Sequence, residues 1–87
     1  KKGRKKRIIE LKNETRTTIF FESPHRLIKT LSEFNHELSP NRKISISREL
    51  TKIHEETFRG SISGAIKYFD KKKIRGEFII CISGHNE

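Results

Sequence analysis

The sequence has one cysteine, two prolines, no tryptophan, no methionine and no valine in 87 residues. A single thiol, Cys81, can build neither a disulfide framework nor a cysteine-based metal centre. Inside the apolar run Phe78–Ile82 it reads as a buried core residue rather than a reactive nucleophile. The five glycines (Gly3, Gly60, Gly64, Gly76 and Gly84) are scattered, so there is no glycine-rich phosphate loop. The four histidines, His25, His36, His54 and His85, have no metal-ligand spacing, and no metal is expected. No apolar stretch approaches the ~20 residues of a membrane span. The basic start also lacks the apolar region of a secretory signal. Together these absences argue against a disulfide scaffold, a zinc module, a P-loop enzyme and a membrane segment, and favour a cytoplasmic setting.

What is present is charge, unevenly placed. Lys1, Lys2, Arg4, Lys5, Lys6 and Arg7 supply six of the net +9, leaving +3 for the other eighty residues. A concentrated cationic arm gains free energy on a polyanion by releasing condensed counterions. Its bland alternative is a solvated tail. The chain has the length of one domain, and so short a chain buries little more than ~60% of its unfolded surface. With hydrophobic residues at only 31%, a partner lobe or subunit is expected to complete the core. A first residue other than methionine favours an excised part of a longer protein.

Periodicity places the elements. Residues 1–7 are expected to be disordered in isolation, with a helix starting near Lys5 and running to Lys12. Thr17–Phe21 is β-branched and aromatic, which predicts a strand buried on both faces. Ser23-Pro24 reads as an N-cap followed by proline at the first helical position. Leu27, Ile28, Leu31, Phe34 and Leu38 then form one helical stripe, stopped by Ser39-Pro40-Asn41. Lys43–Arg48 alternates as a half-buried strand. Glu49–Glu56 reads as a charged loop and Thr57–Arg59 as a short strand. Ser61 or Ser63 caps a helix whose inner face carries Ile62, Ala65, Ile66 and Phe69. Phe78–Ile82 is the central strand. The order β-α-β-(β)-α-β predicts an α/β fold with a mixed β-sheet flanked by helices. Residues 1–12 form a basic linker and 13–87 the lobe.

Two segments concentrate polar groups where a strand ends: Phe20-Phe21-Glu22-Ser23-Pro24-His25-Arg26 and Ser47-Arg48-Glu49-Leu50-Thr51-Lys52-Ile53-His54-Glu55-Glu56. In open α/β sheets, ligands bind at the carboxyl ends of strands. Bland roles stand beside that one. Glu22 could favour the positive end of the following helix. Arg26 and Arg48 could pair with Glu22, Glu49 or Glu55 in a structural network. Ser23, two residues from His25, is better explained as a cap than as a nucleophile. The residues alone do not assemble a complete active site.

These two segments closely resemble the F/Y-E-S-P-H-R turn and the A/S-R-E-L-T-K-x-H-E-E segment of the bacterial small-subunit ribosomal RNA 2′-O-ribose methyltransferases. That family belongs to the tetrapyrrole methylase superfamily. The basic opening, Arg59-Gly60-Ser61-Ile62 and Arg75-Gly76-Glu77 match as well, so the resemblance covers essentially the whole chain.

The resemblance implies the C-terminal lobe of a two-lobed enzyme that holds S-adenosylmethionine between its lobes. The N-terminal lobe is absent from this chain. It further implies donor contacts at Phe21, Glu22 and Ser23 and at Glu49, Leu50 and Thr51. Leu50 stands where other superfamily members have the glycine of an E-N-G-T-type turn. RNA contacts are expected at Lys1, Lys2, Arg4, Lys5, Lys6, Arg7, Arg26, Arg48 and Lys52, with His25 and His54 as candidates for the base. The implied substrate is a cytidine of small-subunit ribosomal RNA, and the implied assembly is a homodimer. Two alternatives stay open: a porphyrin or corrin precursor methylase, and a non-catalytic basic RNA-binding module. The second is disfavoured because Tyr68 and the six phenylalanines fall mostly on predicted core faces rather than forming a stacking platform.

Overall fold

A computed structural model describes residues 2–49, 55–72 and 74–85. The element order is α1 (Lys2–Glu10), β1 (Thr18–Glu22), α2 (Leu27–Glu37), β2 (Lys43–Glu49), β3 (Glu55–Ser61), α3 (Ile62–Asp70) and β4 (Glu77–Ile82). The four strands form one sheet in the order β1-β4-β2-β3.

The α/β reading holds, but the sheet is not mixed: all three ladders are antiparallel. Strand β4 inserts between β1 and β2 and pairs with both. β1 and β2 do run in the same direction, as a β-α-β unit requires, yet they never touch. Pattern along the chain predicts the direction of each strand and not which strand lies between two others.

The helices cover one face only. Phe20, Ile44, Ile46, Phe78, Ile80 and Ile82 point into the core, where they meet Leu27, Leu31, Phe34, Ile62, Ala65 and Phe69. The opposite face is open: Phe21 is 73% exposed, Ile19 50% and Ile79 42%. Strand β1 is therefore half-buried, not buried on both faces, and Cys81, on the open side, is only partly covered. Thr17 to Phe21 carries no polar alternation because its outward positions hold Ile19 and Phe21.

Three boundaries differ from expectation. Helix α1 begins at Lys2 and docks Ile8 and Leu11 into the core, so the basic segment is folded onto the lobe. Helix α2 begins at Leu27 with Arg26 at the cap position and no side-chain cap; residues 23–26 form a turn closed by the Arg26 amide on the Ser23 carbonyl at 3.2 Å. Because the cap position falls on Arg26, Ser23 does not serve as the cap; its amide donates to the Glu22 carboxylate at 3.0 Å. Strand β3 reaches back to Glu55, placing Glu56 in the ladder rather than in a loop. Ser61 does cap α3, accepting from the Gly64 amide at 3.0 Å.

The far end of the sheet is closed by buried Arg42. It donates to the Ser83 and Leu11 carbonyl oxygens, both at 2.9 Å, and so ties β4 to the end of α1. The chain beyond β4 lies against residues 14 and 15, with the His85 amide 2.6 Å from the Glu14 carbonyl oxygen. A Cβ on Gly84 would overlap the Thr15 carbonyl oxygen, whereas one on Gly3 meets nothing within 4 Å. Gly84→Ala is therefore expected to cost about 3 kcal/mol of stability in urea unfolding. Gly3→Ala, inside a helix, should be neutral or stabilise by up to ~1 kcal/mol. Equal effects of the two would contradict this packing.

Candidate functional site

The antiparallel register draws both strand-end motifs to one end of the sheet. Glu22 of β1 stands opposite Phe78 of β4, Phe78 opposite Arg48 of β2, and Arg48 opposite Glu56 of β3. These four side chains form one row on the helix-covered face. Two strand spacings separate β1 from β2, about 10 Å. The next row inward (Phe20, Ile80, Ile46 and Phe58) is wholly apolar. The core thus ends in a charged row, with one carboxylate at each side of the sheet.

Glu22 is 5% exposed and its carboxylate is fully occupied by the protein. The Thr30 hydroxyl of α2 donates to Oε2 at 2.6 Å, the Arg4 guanidinium of α1 reaches the same oxygen, and the Ser23 amide binds Oε1. Arg26 Nε lies 3.7 Å from Oε1. Burial pushes the Glu22 carboxyl up, but Thr30, the Ser23 amide and Arg4 together outweigh it and hold the group below the usual carboxylate range.

Glu56 is the matching anchor on β3. Tyr68 of α3 donates to Oε2, and Arg48 pairs with Oε1. Lys72 lies 3.6 Å from Oε2 and 4.5 Å from the centroid of the Tyr68 ring. The Tyr68 hydroxyl is the main cause of a lowered Glu56 carboxyl, and the same contact raises the Tyr68 phenol above 10.0. Arg48 is 8% exposed, with its guanidinium 5.9 Å from the centroid of Phe78. Beneath this row Phe78, Phe69, Tyr68 and Phe58 stack edge to face or tilted, with centroids 4.9 to 5.7 Å apart. Such pairs add ~0.5–1.5 kcal/mol each beyond area burial.

The candidate residues divide by orientation. Phe21 and His25 are exposed, and Ser23 and Arg26 are partly so. Glu22 and Arg48 turn inward. On α1, Lys5 and Lys6 are exposed, Arg4 reaches Glu22, and Arg7 lies over the Phe20 ring at 4.5 Å. Glu49 is described in its backbone only, paired with Glu55 and Glu77. The Lys2 side chain and residues Lys1, Leu50, Thr51, Lys52 and His54 lie outside the described residues. Among the described residues no group of three or more His, Cys, Asp or Glu could hold a metal ion, and no helix is long and apolar enough to cross a membrane.

Sequence reasoning missed Thr30, Tyr68 and Lys72. Thr30 carried a signal, since it falls on the Leu27–Leu31–Phe34 stripe, where a hydroxyl must find a partner once buried. Tyr68 and Lys72 carried none, because their roles depend on α3 lying over the start of β3.

Both carboxyls sit below the ordinary value of 4.5 in the folded chain. As pH falls, the unfolded chain binds these protons first. Their contribution is therefore complete above 4.5 and is lost as pH drops through the lower folded values. Glu22→Gln is expected to cost about 2 kcal/mol at neutral pH and to make the acid loss of stability shallower. Urea unfolding at neutral pH and well below 4.5 checks this; an unchanged acid slope would contradict the assigned network.

No protein-family model matches the chain. It is similar to the protein named Ribosomal RNA small subunit methyltransferase I of Thermotoga maritima, 46% identical over 83 residues, which is 95% of this chain and 37% of that protein. The protein of the same name from Bacillus subtilis is 45% identical over 86 residues, 99% of this chain and 29% of its own length. The one from Halalkalibacterium halodurans is 42% identical over 87 residues, 100% of this chain and 30% of its own. The chain therefore spans about a third of the length of these relatives. Along nearly all of its residues the chain is thus more than 40% identical to part of several proteins named Ribosomal RNA small subunit methyltransferase I.

Proposed function

We propose that this chain is the C-terminal lobe of an S-adenosylmethionine-dependent methyltransferase acting on a cytidine ribose 2′-hydroxyl of small-subunit ribosomal RNA. The observation that carries the reading is the convergence of both motifs on one end of the sheet, through the row Glu22–Phe78–Arg48–Glu56. That end holds the carboxyl ends of β1 and β2, where open α/β sheets take ligands.

S-adenosylmethionine supplies an electrophilic methyl group on a sulfonium. The residues at the end of β1 fit such a donor: Phe21 offers an exposed apolar ring suited to an adenine, and Ser23 follows the strand. Glu22 supports this turn from within, because its carboxylate is held by Thr30, Arg4 and the Ser23 amide. Glu49, Leu50 and Thr51 complete the donor set on the strength of the motif. When bound, the donor would supply its methyl group to the ribose 2′-hydroxyl, whose proton would need a base from the protein. His25, which is exposed, and His54, by motif, are the candidates for that base. Positioning provides most of the acceleration in such a displacement.

On the RNA side, Lys5, Lys6 and Arg7 are exposed on α1 and Arg26 is partly exposed, with Lys1, Lys2 and Lys52 joining them by motif. A string of cations rewards an RNA backbone more than a tetrapyrrole carboxylate. The N-terminal lobe, a homodimeric assembly and a cytoplasmic site of action belong to the same reading.

A full-length protein containing this segment, given labelled S-adenosylmethionine, is expected to label small ribosomal subunits lacking the modification. It should leave a uroporphyrinogen-type substrate unlabelled. Lys5→Ala with Lys6→Ala should raise the KM for the subunit and reduce the salt dependence of RNA binding by about one unit of slope for each phosphate left without its lysine. The 87-residue chain alone is expected to give no turnover. Label in the tetrapyrrole alone would contradict the substrate; turnover by the chain alone would contradict the two-lobe reading.

A further inference from the structure

Helix α1 looks like a uniform cationic arm in the sequence, but its basic residues point in two directions. Arg4 lies one helical turn before Ile8 and two before Leu11, so it shares the face that those two bury in the core. The Arg4 side chain is 23% exposed and meets a Glu22 side chain that is 3% exposed. Its guanidinium also lies 3.3 Å from the Thr30 hydroxyl, which itself donates to Glu22. Lys5 and Lys6 are on the exposed side. The arm thus carries two functions on opposite faces.

We infer that Arg4 is not an RNA-phosphate contact but a positioning residue, which joins the cationic helix to the turn after β1 and holds that turn in shape. The chain of interactions is continuous. Arg4 and Thr30 fix Glu22 Oε2, and the Ser23 amide donates to Oε1 of the same carboxylate. The Ser23 carbonyl accepts from Arg26 and closes residues 23–26 as a turn. Removing Arg4 leaves a buried carboxylate short of its counter-charge, which costs more than the pair itself contributes. Glu22 then rotates or takes up a proton, and the Ser23 amide is deprived of its acceptor. Because α1 also bears the outward lysines, a polyanion that orders this helix would steady the same turn. This inference rests on the donor-binding role proposed for the turn, and it assigns Arg4 a part in donor binding that does not depend on RNA.

Two readouts separate the possibilities. In the 87-residue chain, hydrogen exchange at the Ser23 amide should accelerate about tenfold or more in Arg4→Gln, the change expected when a charge-assisted hydrogen bond goes. Exchange at Ile80 in the central strand should stay protected. Unchanged exchange at Ser23 would overturn the inference whatever the enzyme does.

In the full-length protein, Arg4→Gln should weaken S-adenosylmethionine binding several-fold while leaving the salt slope of RNA binding unaltered. A phosphate contact would instead lower that slope by about one unit, which would also overturn the inference. Arg4→Lys, which keeps the charge, should restore part of the donor affinity. The double variant Arg4→Gln with Glu22→Gln should be no weaker than the worse single one, because both act through one contact. If Ser23 responds as expected but the wild-type full-length protein binds no donor, the positioning role stands and the methyltransferase reading fails.

Discussion

Everything in this lobe depends on β4 being paired along both edges. β1 and β2 are separated by a helix and its connections in sequence, and they share no hydrogen bond. Their relative register is fixed only because Phe78–Ile82 pairs with each in turn. That strand also carries Phe78, Ile80 and Ile82, all 1% exposed or less, into the middle of the core. A slip of one residue in either ladder would turn these three outward and bring Ile79 and Cys81 in their place. It would also separate Glu22 from Arg48. The hydrophobic effect on β4 thus sets the geometry of a polar site to which β4 itself contributes only Phe78.

The two ends of the sheet solve opposite problems with the same chemistry. At the far end, Arg42 is buried among carbonyl oxygens of the segments after α1 and after β4, closing the fold with a cation that meets no carboxylate in those bonds. At the motif end, Glu22 is buried and Glu56 partly so, and each carboxylate is held by donors from the helices: Thr30 and Arg4 for Glu22, Tyr68 for Glu56. A buried charge is tolerable only when it is paired and hydrogen-bonded. Meeting that need here uses all three helices, so the helices that cover the core also hold the strand ends in place. Outward-facing Phe21 on β1 and partly exposed Ser23 in the following turn then flank an anchored Glu22.

Much of this was legible in the sequence. The elements follow from period and punctuation, and the two motifs marked the correct strand ends. The bland reading of Arg26 near Glu22 was right in kind: the pair lies 3.7 Å apart. Strand order was not legible, because nothing local to β1 or β2 says that a strand beginning only at Glu77 will lie between them. The orientation of Glu22 was not legible either, since β1 looks apolar throughout until one sees that only alternate residues face the helices. The uniform charge of the basic segment concealed its division between an inward Arg4 and exposed Lys5, Lys6 and Arg7, visible only once the spacing from Arg4 to Ile8 and Leu11 is read as one helix face. Thr30 was the one partner whose place in an apolar stripe could have given it away.

The central claim is that ligand chemistry belongs to the end of the sheet where Glu22 and Arg48 lie. Chemical-shift mapping of S-adenosylmethionine on a labelled full-length protein containing this segment tests it most directly. The account predicts perturbations concentrated at Phe21, Ser23 and His25, at the end of β2 and at the start of β3. Perturbations confined to the opposite end, around Asn41, Lys43, Ser61 and Ser83, where an open cleft also exists, would contradict it.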